Sequence, residues 1–407
     1  MSEIEHGPWA SDHFWTSPYN FRPEIKEQFQ LPGKVEIHDC TLRDGEQTPG
    51  VVFRKEDKVE IAKILDDLGV ARIEAGMPAV STEDAEAVKA IAGLGLRAKT
   101  MVFCRAMKKD IDLAVANDAW GAIIETPSGY LRIKNQFKDW GEDAVIDRSI
   151  EAINYAKEQG LFVNYFPYDT TRSDLNFLER LLERVTTESE PDAITVVDTT
   201  GCALPQTMAF LVKKVKQMTN LPVEVHTHND LGLGTAGALA GVAAGAEVVH
   251  TCLNGLGERT GNAALDEIAV DLELLYGLDT GIKLEKMYEV ARRIEEKTGV
   301  TLAMNKAITG KFAFAREIGL GLNMIEEAPL TVFLLLPSMV GQEPTIVLGK
   351  KSGKLSIEYK LKKMGLSADE DSIEEMLQQV KALGIEKKGP VTDEEFMNIV
   401  DRVGGTQ

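Results

Sequence analysis

Two histidines one residue apart, His226 and His228, close an apolar alternating run carrying Val223 and Val225, in a 407-residue chain with only six histidines. A strand points residues i and i+2 to one face, so both imidazoles look the same way, as metal ligands would. Two more polar clusters close apolar runs far away in sequence. One is Asp39-Cys40-Thr41-Leu42-Arg43-Asp44-Gly45-Glu46-Gln47, the other Asn254-Gly255-Leu256-Gly257-Glu258-Arg259-Thr260-Gly261-Asn262. Asp44 offers a carboxylate, His226 and His228 offer imidazoles, and Asn262 offers an amide oxygen. That mixed set suits Mg²⁺, Mn²⁺ or Zn²⁺ and leaves two positions of an octahedral ion open to a bidentate ligand. A 2-oxo acid is the natural candidate, because its carboxylate and ketone oxygens chelate a divalent ion that then polarises the carbonyl. Arg43 is placed to meet negative charge developing on that oxygen. Thr199, in Asp198-Thr199-Thr200-Gly201, can offer a hydroxyl and a backbone N–H to a substrate carboxylate. Singly these signals are weak, since an Arg beside an Asp is ordinarily a surface ion pair and Gly255-Leu256-Gly257 a tight turn. Their joint placement carries the argument. The glycine run is no dinucleotide fingerprint, because G-x-G-x-x-G is absent there.

The elements that must position these groups recur regularly. Between about 34 and 275, β-branched runs at 34–42, 72–77, 97–104, 120–126, 162–169, 193–199, 222–230 and 247–254 alternate with helical-period segments. Eight βα units over about 240 residues predict an α/β fold, a closed (β/α)8 TIM barrel, with a doubly wound open sheet as the alternative. A barrel holds its chemistry at the C-terminal strand ends, where Asp44, Thr199, His226, His228 and Asn262 fall. The expected organisation is an aromatic N-terminal arm (1–30), laid over the barrel or a neighbouring subunit or plugging the barrel bottom. The catalytic barrel (31–280), a helical linker (281–345) and a small mainly helical C-terminal subdomain (346–407) follow. That subdomain is expected to hold helices near 354–364, 371–383 and 392–400, the last opened by Thr392-x-x-Glu395.

A hydrophobic content of 44%, a charged fraction of 27% and a net charge of −19 describe an acidic, soluble protein without a basic stripe, which excludes nucleic acid as an expected partner. Neither a secretory leader nor a membrane-spanning window is visible, so a cytoplasmic protein is expected. Cys40, Cys104, Cys202 and Cys252 form no C-x-x-C pair and read as reduced, buried side chains.

The 41–47 stretch, His226-x-His228-Asn229-Asp230 and the 254–262 loop together resemble the DRE-TIM metallolyases, and more narrowly their Claisen-type synthases of isopropylmalate, homocitrate and citramalate. The similarity runs over 34–402, where Leu348-Gly349-Lys350-Lys351-Ser352-Gly353 resembles the family's Gly-Lys-His-Ser-Gly turn. It stops before any leucine-sensing domain, so feedback of that kind is not expected. The resemblance implies Arg43 as catalytic arginine, Asp44, His226, His228 and Asn262 as metal set, Thr199 on the substrate carboxylate, acetyl-CoA as co-substrate and a homodimer. Gln47, ending the first cluster, is a further expected substrate contact. Glu125-Thr126-Pro127-Ser128-Gly129-Tyr130-Leu131-Arg132 resembles the loop of homocitrate synthases and offers Arg132 to a second carboxylate, whereas 73–79 resembles isopropylmalate synthase. Three departures stand out: Tyr168 occupies the place of the family's catalytic Glu, Gly321 that of its His, and Val332 that of its Tyr. Tyr168 is therefore the first candidate for proton transfer, with Asp169 and Glu125 next. The expected reaction is condensation of an acyl-CoA with a 2-oxo acid. The alternatives are a metal-dependent lyase or aldolase cleaving a 2-hydroxy acid or its CoA ester, and a noncatalytic metabolite-binding relative.

Overall fold

In the computed structural model, which describes residues 7–319 and 321–404, eight parallel strands close on themselves in chain order. They are β1 (Glu36–Asp39), β2 (Arg72–Glu74), β3 (Lys99–Arg105), β4 (Gly121–Pro127), β5 (Phe162–Tyr168), β6 (Ala193–Asp198), β7 (Val223–Thr227) and β8 (Val248–Thr251). Closure is made by β1 against β8, from Glu36 opposite Val248 to Asp39 opposite Thr251. The expected (β/α)8 barrel is thus what forms. Several strands end earlier than the apolar runs suggest. The strands end at Asp39, Glu74, Thr227 and Thr251, and Cys40 N, Ala75 N and His228 N each still donate to a neighbouring strand, at Thr251 O, Met101 O and Asp198 O, before the loops that carry the polar clusters begin.

The crossover helices form for ordinary reasons. Leu175–Glu188 buries Phe177, Leu178, Leu181, Leu182 and Val185, one stripe at helical spacing, and the Asp174 side chain accepts from Phe177 N at 3.0 Å to cap its start. Each such apolar side chain contributes roughly 1.5–3 kcal/mol on burial. Pro205–Thr219 opens with proline at its first position and stops at Asn220 in the left-handed region.

Ser17–Thr301 forms one compact unit, and the described parts of Met1–Thr16 and Leu302–Gln407 form another. The expected arm is therefore divided: Phe14 bridges Leu335 within the second unit, while Gln30 N donates to Ala243 O in the barrel unit. The expected linker has its longest helix at Met287–Thr298; beyond Leu302 its described residues carry the short helix Met324–Glu327, 3-10 turns and a two-stranded parallel pair, Ala315–Arg316 with Thr345–Ile346. Helices Lys354–Lys363, Glu370–Lys387 and Asp393–Val403 match the expected C-terminal trio, and Thr392 and Glu395 make the reciprocal cap. The ends of the expected arm and subdomain, 1–6 and 405–407, lie outside the described residues, as does Leu320. All four cysteines are free, but Cys202 is exposed rather than buried, because it lies in the loop after β6 and not in a strand. Among the described residues, no helix is long and apolar enough to cross a membrane.

Candidate active site

The loop after β1 folds back tightly, with Arg43 N and Gly45 N both donating to Cys40 O at 3.1 Å. Thr41 Oγ1 accepts from Leu253 N at 2.8 Å, and Thr48 Oγ1 accepts from Gly257 N at 2.8 Å, so the β1 and β8 loops are stitched together. Glu258 N donates to Asp44 Oδ1 at 3.2 Å, fixing that carboxylate from the far side. Gly257 has φ +144°, and a Cβ there would stand 2.1 Å from Asn262 Nδ2, so only glycine lets the Asn262 amide lie against this turn. His226 belongs to β7, and His228, one step beyond it, bridges to Asn262.

Asp44 Oδ2 lies 3.3 Å from His226 Nε2 and 3.6 Å from His228 Nε2, and the two Nε2 atoms are 3.3 Å apart. Adjacent ligands of an octahedral ion with bonds of roughly 2.1 Å stand about 3 Å apart, so these three donors fit one divalent ion. Asn262 Oδ1 is buried without a hydrogen-bond partner, while its Nδ2 donates to Leu256 O at 3.1 Å. A buried, orphaned acceptor is costly unless something cationic or protic meets it, and a metal does so. Burial lowers His226 and brings His228 down to about 4, keeping both imidazoles neutral and free to ligate. Burial opposes ionisation of Asp44, but Arg43 and the imidazoles outweigh it and hold the carboxyl well below its usual range.

Arg43 is clamped beside this set. Its Nε donates to Glu74 Oε1, its Nη2 lies 3.3 Å from Glu74 Oε2, its Nη1 stands 3.5 Å from Asp44 Oδ2, and the guanidinium covers the Phe103 ring at 4.2 Å. Glu74 is fully buried, and burial that would favour its neutral form is overcome by Arg43 and His38. Beneath it, His38 stacks on His250 at 4.3 Å, His250 Nε2 meets Glu224 Oε2 at 2.8 Å, and Arg72 Nη1 donates to Glu224 Oε1 at 2.5 Å. A column of polar groups thus runs from Arg72 through Glu224, His250, His38 and Glu74 to Arg43. His38, Cys40, Glu74 and His250 also cluster closely enough to ligate. Since Glu74 is committed to Arg43, this group reads as the support of the arginine.

Residues 34–294 match the HMGL-like family, and 308–388 match the homocitrate synthase post-HMGL domain-like family. The homocitrate synthase AksA of Methanocaldococcus jannaschii is 42% identical over 387 residues, spanning 95% of this chain and 93% of that protein. The chain belongs to the HMGL-like family, in its Claisen-type synthase group. The 2-isopropylmalate synthase of the same organism is 41% identical, over 93% of this chain and 73% of its own length; its (R)-citramalate synthase CimA is 41% identical, over 91% and 75%. The HMG-CoA lyase of Bacillus subtilis, 22% identical with a TM-score of 0.60 over 67% of this chain and 96% of its own, shares the barrel fold.

In this family member, a cavity of about 260 Å³ is lined by Arg43, Asp44, Gln47, Arg132, Tyr168, Thr199, His226 and His228, all expected at the site from the sequence, and by Glu125. Asn262 is not on its wall, and its backbone pairs with that of His228. Met77, Phe103, Phe166 and Val197 make part of the wall apolar. Thr199 Oγ1 accepts from Asp169 N at 2.8 Å, leaving its proton for a ligand. Arg132 Nε, 4.0 Å from Asp169 Oδ2, is buried without a hydrogen-bond partner, and its guanidinium lies over the Tyr168 ring at 5.6 Å. Burial and the nearby Glu125 push the Tyr168 hydroxyl above the usual phenol range. Gly321 adopts φ +75°, and Val332 packs against the apolar core of the second unit, so those two positions hold a turn and a packing side chain.

Sequence reasoning gave no role to Glu74 or to the column beneath it. The available signal, for Glu224 in that column, was the i, i+2 series Glu224, His226, His228 along β7 and one step past its end, which places a carboxylate on the same side as the histidines.

Proposed function

We propose that this chain joins acetyl-CoA, or a close acyl-CoA, to the ketone carbon of a 2-oxo acid in the presence of a divalent ion, giving a 2-alkylmalate-type product and free CoA thiol. The observation that carries this reading is the convergence of Asp44, His226 and His228, with Arg43 alongside, on one small cavity. Asp44, His226, His228 and Asn262 would hold Mn²⁺, Mg²⁺ or Zn²⁺, which when bound supplies Lewis-acid activation of the ketone. Arg43, immobilised by Glu74, presents its charge where the ketone oxygen gains electrons, at no reorganisation cost during reaction. Thr199 donates to the 2-oxo acid's carboxylate, Gln47 contacts it from the rim, and Arg132 receives a second carboxylate where the substrate carries one. Tyr168, kept protonated, serves proton transfer as a donor. The functional species is a homodimer.

The test is thiol release from acetyl-CoA by purified, metal-loaded protein across a panel of mono- and dicarboxylic 2-oxo acids. The reading expects sustained, metal-dependent release with at least one of them. No release with any member, together with cleavage of a 2-hydroxy acid, would replace it with the lyase reading.

A further inference from the structure

Condensation begins by removing a proton from the acyl methyl group, and a base for that step must stand on the cavity wall. Most carboxylates in and around the cavity are committed. Asp44 faces His226 and His228, and Glu74 is tied to Arg43. Asp169 is held by Arg172 through two bonds of 2.8 Å, and Glu258 pairs with Arg259 Nη1 at 2.9 Å. Glu125 alone among these, on the wall with Arg43, makes no side-chain hydrogen bond or ion pair among the described residues. It lies on β4 opposite Phe166 of β5, two residues beyond Ile123, which packs with Phe103, Phe166, Tyr168 and Val197 inside the barrel. The neighbouring strand carries Tyr168 where the resemblance places a catalytic Glu. The wall thus still holds one uncommitted carboxylate, displaced by one strand.

We propose that Glu125 is the base that takes the methyl proton of the acyl-CoA, replacing the carboxylate lost at position 168. The C–H bond breaks, its proton goes to Glu125 and its electron pair forms the enolate. The enolate carbon bonds to the ketone carbon, and the C=O π pair moves to oxygen beside Arg43. That oxygen is then protonated, and water cleaves the thioester to carboxylate and thiol. Apolar surroundings make the carboxylate a stronger base than one in water: burial raises Glu125 to about 7 against the opposing charges of Arg43, Arg105 and Arg132.

This assignment rests on the condensation reading, and the test separates the two. Thiol release, deuterium loss from [²H₃]acetyl-CoA, metal content and calorimetric 2-oxo acid binding are compared in wild type, Glu125→Gln and Glu125→Ala. The expected result for Glu125→Gln is metal content and 2-oxo acid affinity within about twofold of wild type, with kcat and deuterium exchange down by about 10² to 10⁴. Added formate is expected to restore part of the rate in Glu125→Ala, which a structural role for Glu125 would not produce. Normal exchange in Glu125→Gln, or a slow Glu125→Ala that formate leaves unchanged, overturns the assignment. Absence of thiol release by the wild type overturns the condensation reading and this assignment with it.

Discussion

Replacing Arg43 with lysine keeps a positive charge and discards a shape. In the native site one fork of the guanidinium is spent on Glu74 through Nε and Nη2, while Nη1 points toward Asp44 and the plane rests on Phe103. A lysine ammonium is a single point donor, and two buried carboxylates, Glu74 and Asp44, compete for it. It cannot satisfy Glu74 and also face the ketone oxygen. Loss of one preorganised oxyanion donor is worth about 2.7–4 kcal/mol, or roughly 10² to 10³ in kcat at about 1.4 kcal/mol per decade. Arg43→Lys is therefore expected to lower kcat at least about a hundredfold, measured as thiol release at saturating 2-oxo acid. Metal content by elemental analysis should be unchanged, since Arg43 is not a ligand. Turnover within twofold of wild type would refute the reasoning and leave Arg43 as a partner of Glu74 alone.

His226→Ala and His228→Ala should each abolish bound metal and thiol release while leaving the thermal midpoint of the metal-free protein nearly unchanged; full metal content in the double variant would sink the ligand assignment. Gly257→Ala should cost about 1–3 kcal/mol of strain and push Asn262 from its place, seen as weaker metal binding by competition with a chelator. Glu125 titrates near 7 in the fold and near 4.5 unfolded, so it is neutral in both states below about pH 4.5 and increasingly penalises the fold as pH rises through 7. Glu125→Gln should accordingly melt like wild type near pH 4.5 and higher than wild type at pH 8, by at most ~3 kcal/mol. Equal midpoints at pH 8 would show that the carboxylate is well solvated.

The barrel was legible because each strand had to be followed by a crossover helix, and the alternation of β-branched runs with amphipathic stretches records that directly. The metal set was legible for a related reason: His226 and His228 share a strand face, and Asp44 and Asn262 sit in polar clusters at strand ends. The grip on Arg43 was not, because Glu74 is a single acidic residue in a short strand, and only closure of the barrel carries it to Arg43. Glu125 was legible only as a reserve candidate for proton transfer, because its neighbours Arg43, Arg105 and Arg132 come from β1's loop, β3 and the segment after β4. Cys202 was misplaced because a position just beyond the 193–199 run was read as buried, whereas it lies in the exposed loop after β6.

The most direct measurement is mass analysis of the product made from doubly ¹³C-labelled acetyl-CoA, Mn²⁺ and the 2-oxo acid that gives the fastest thiol release. The account predicts a hydroxylated diacid or triacid carrying both labelled carbons, one thiol released per product molecule, and neither product nor thiol with His228→Ala. Thiol released with labelled acetate as the only labelled product would contradict it, for the protein would then be hydrolysing acetyl-CoA without forming the carbon–carbon bond.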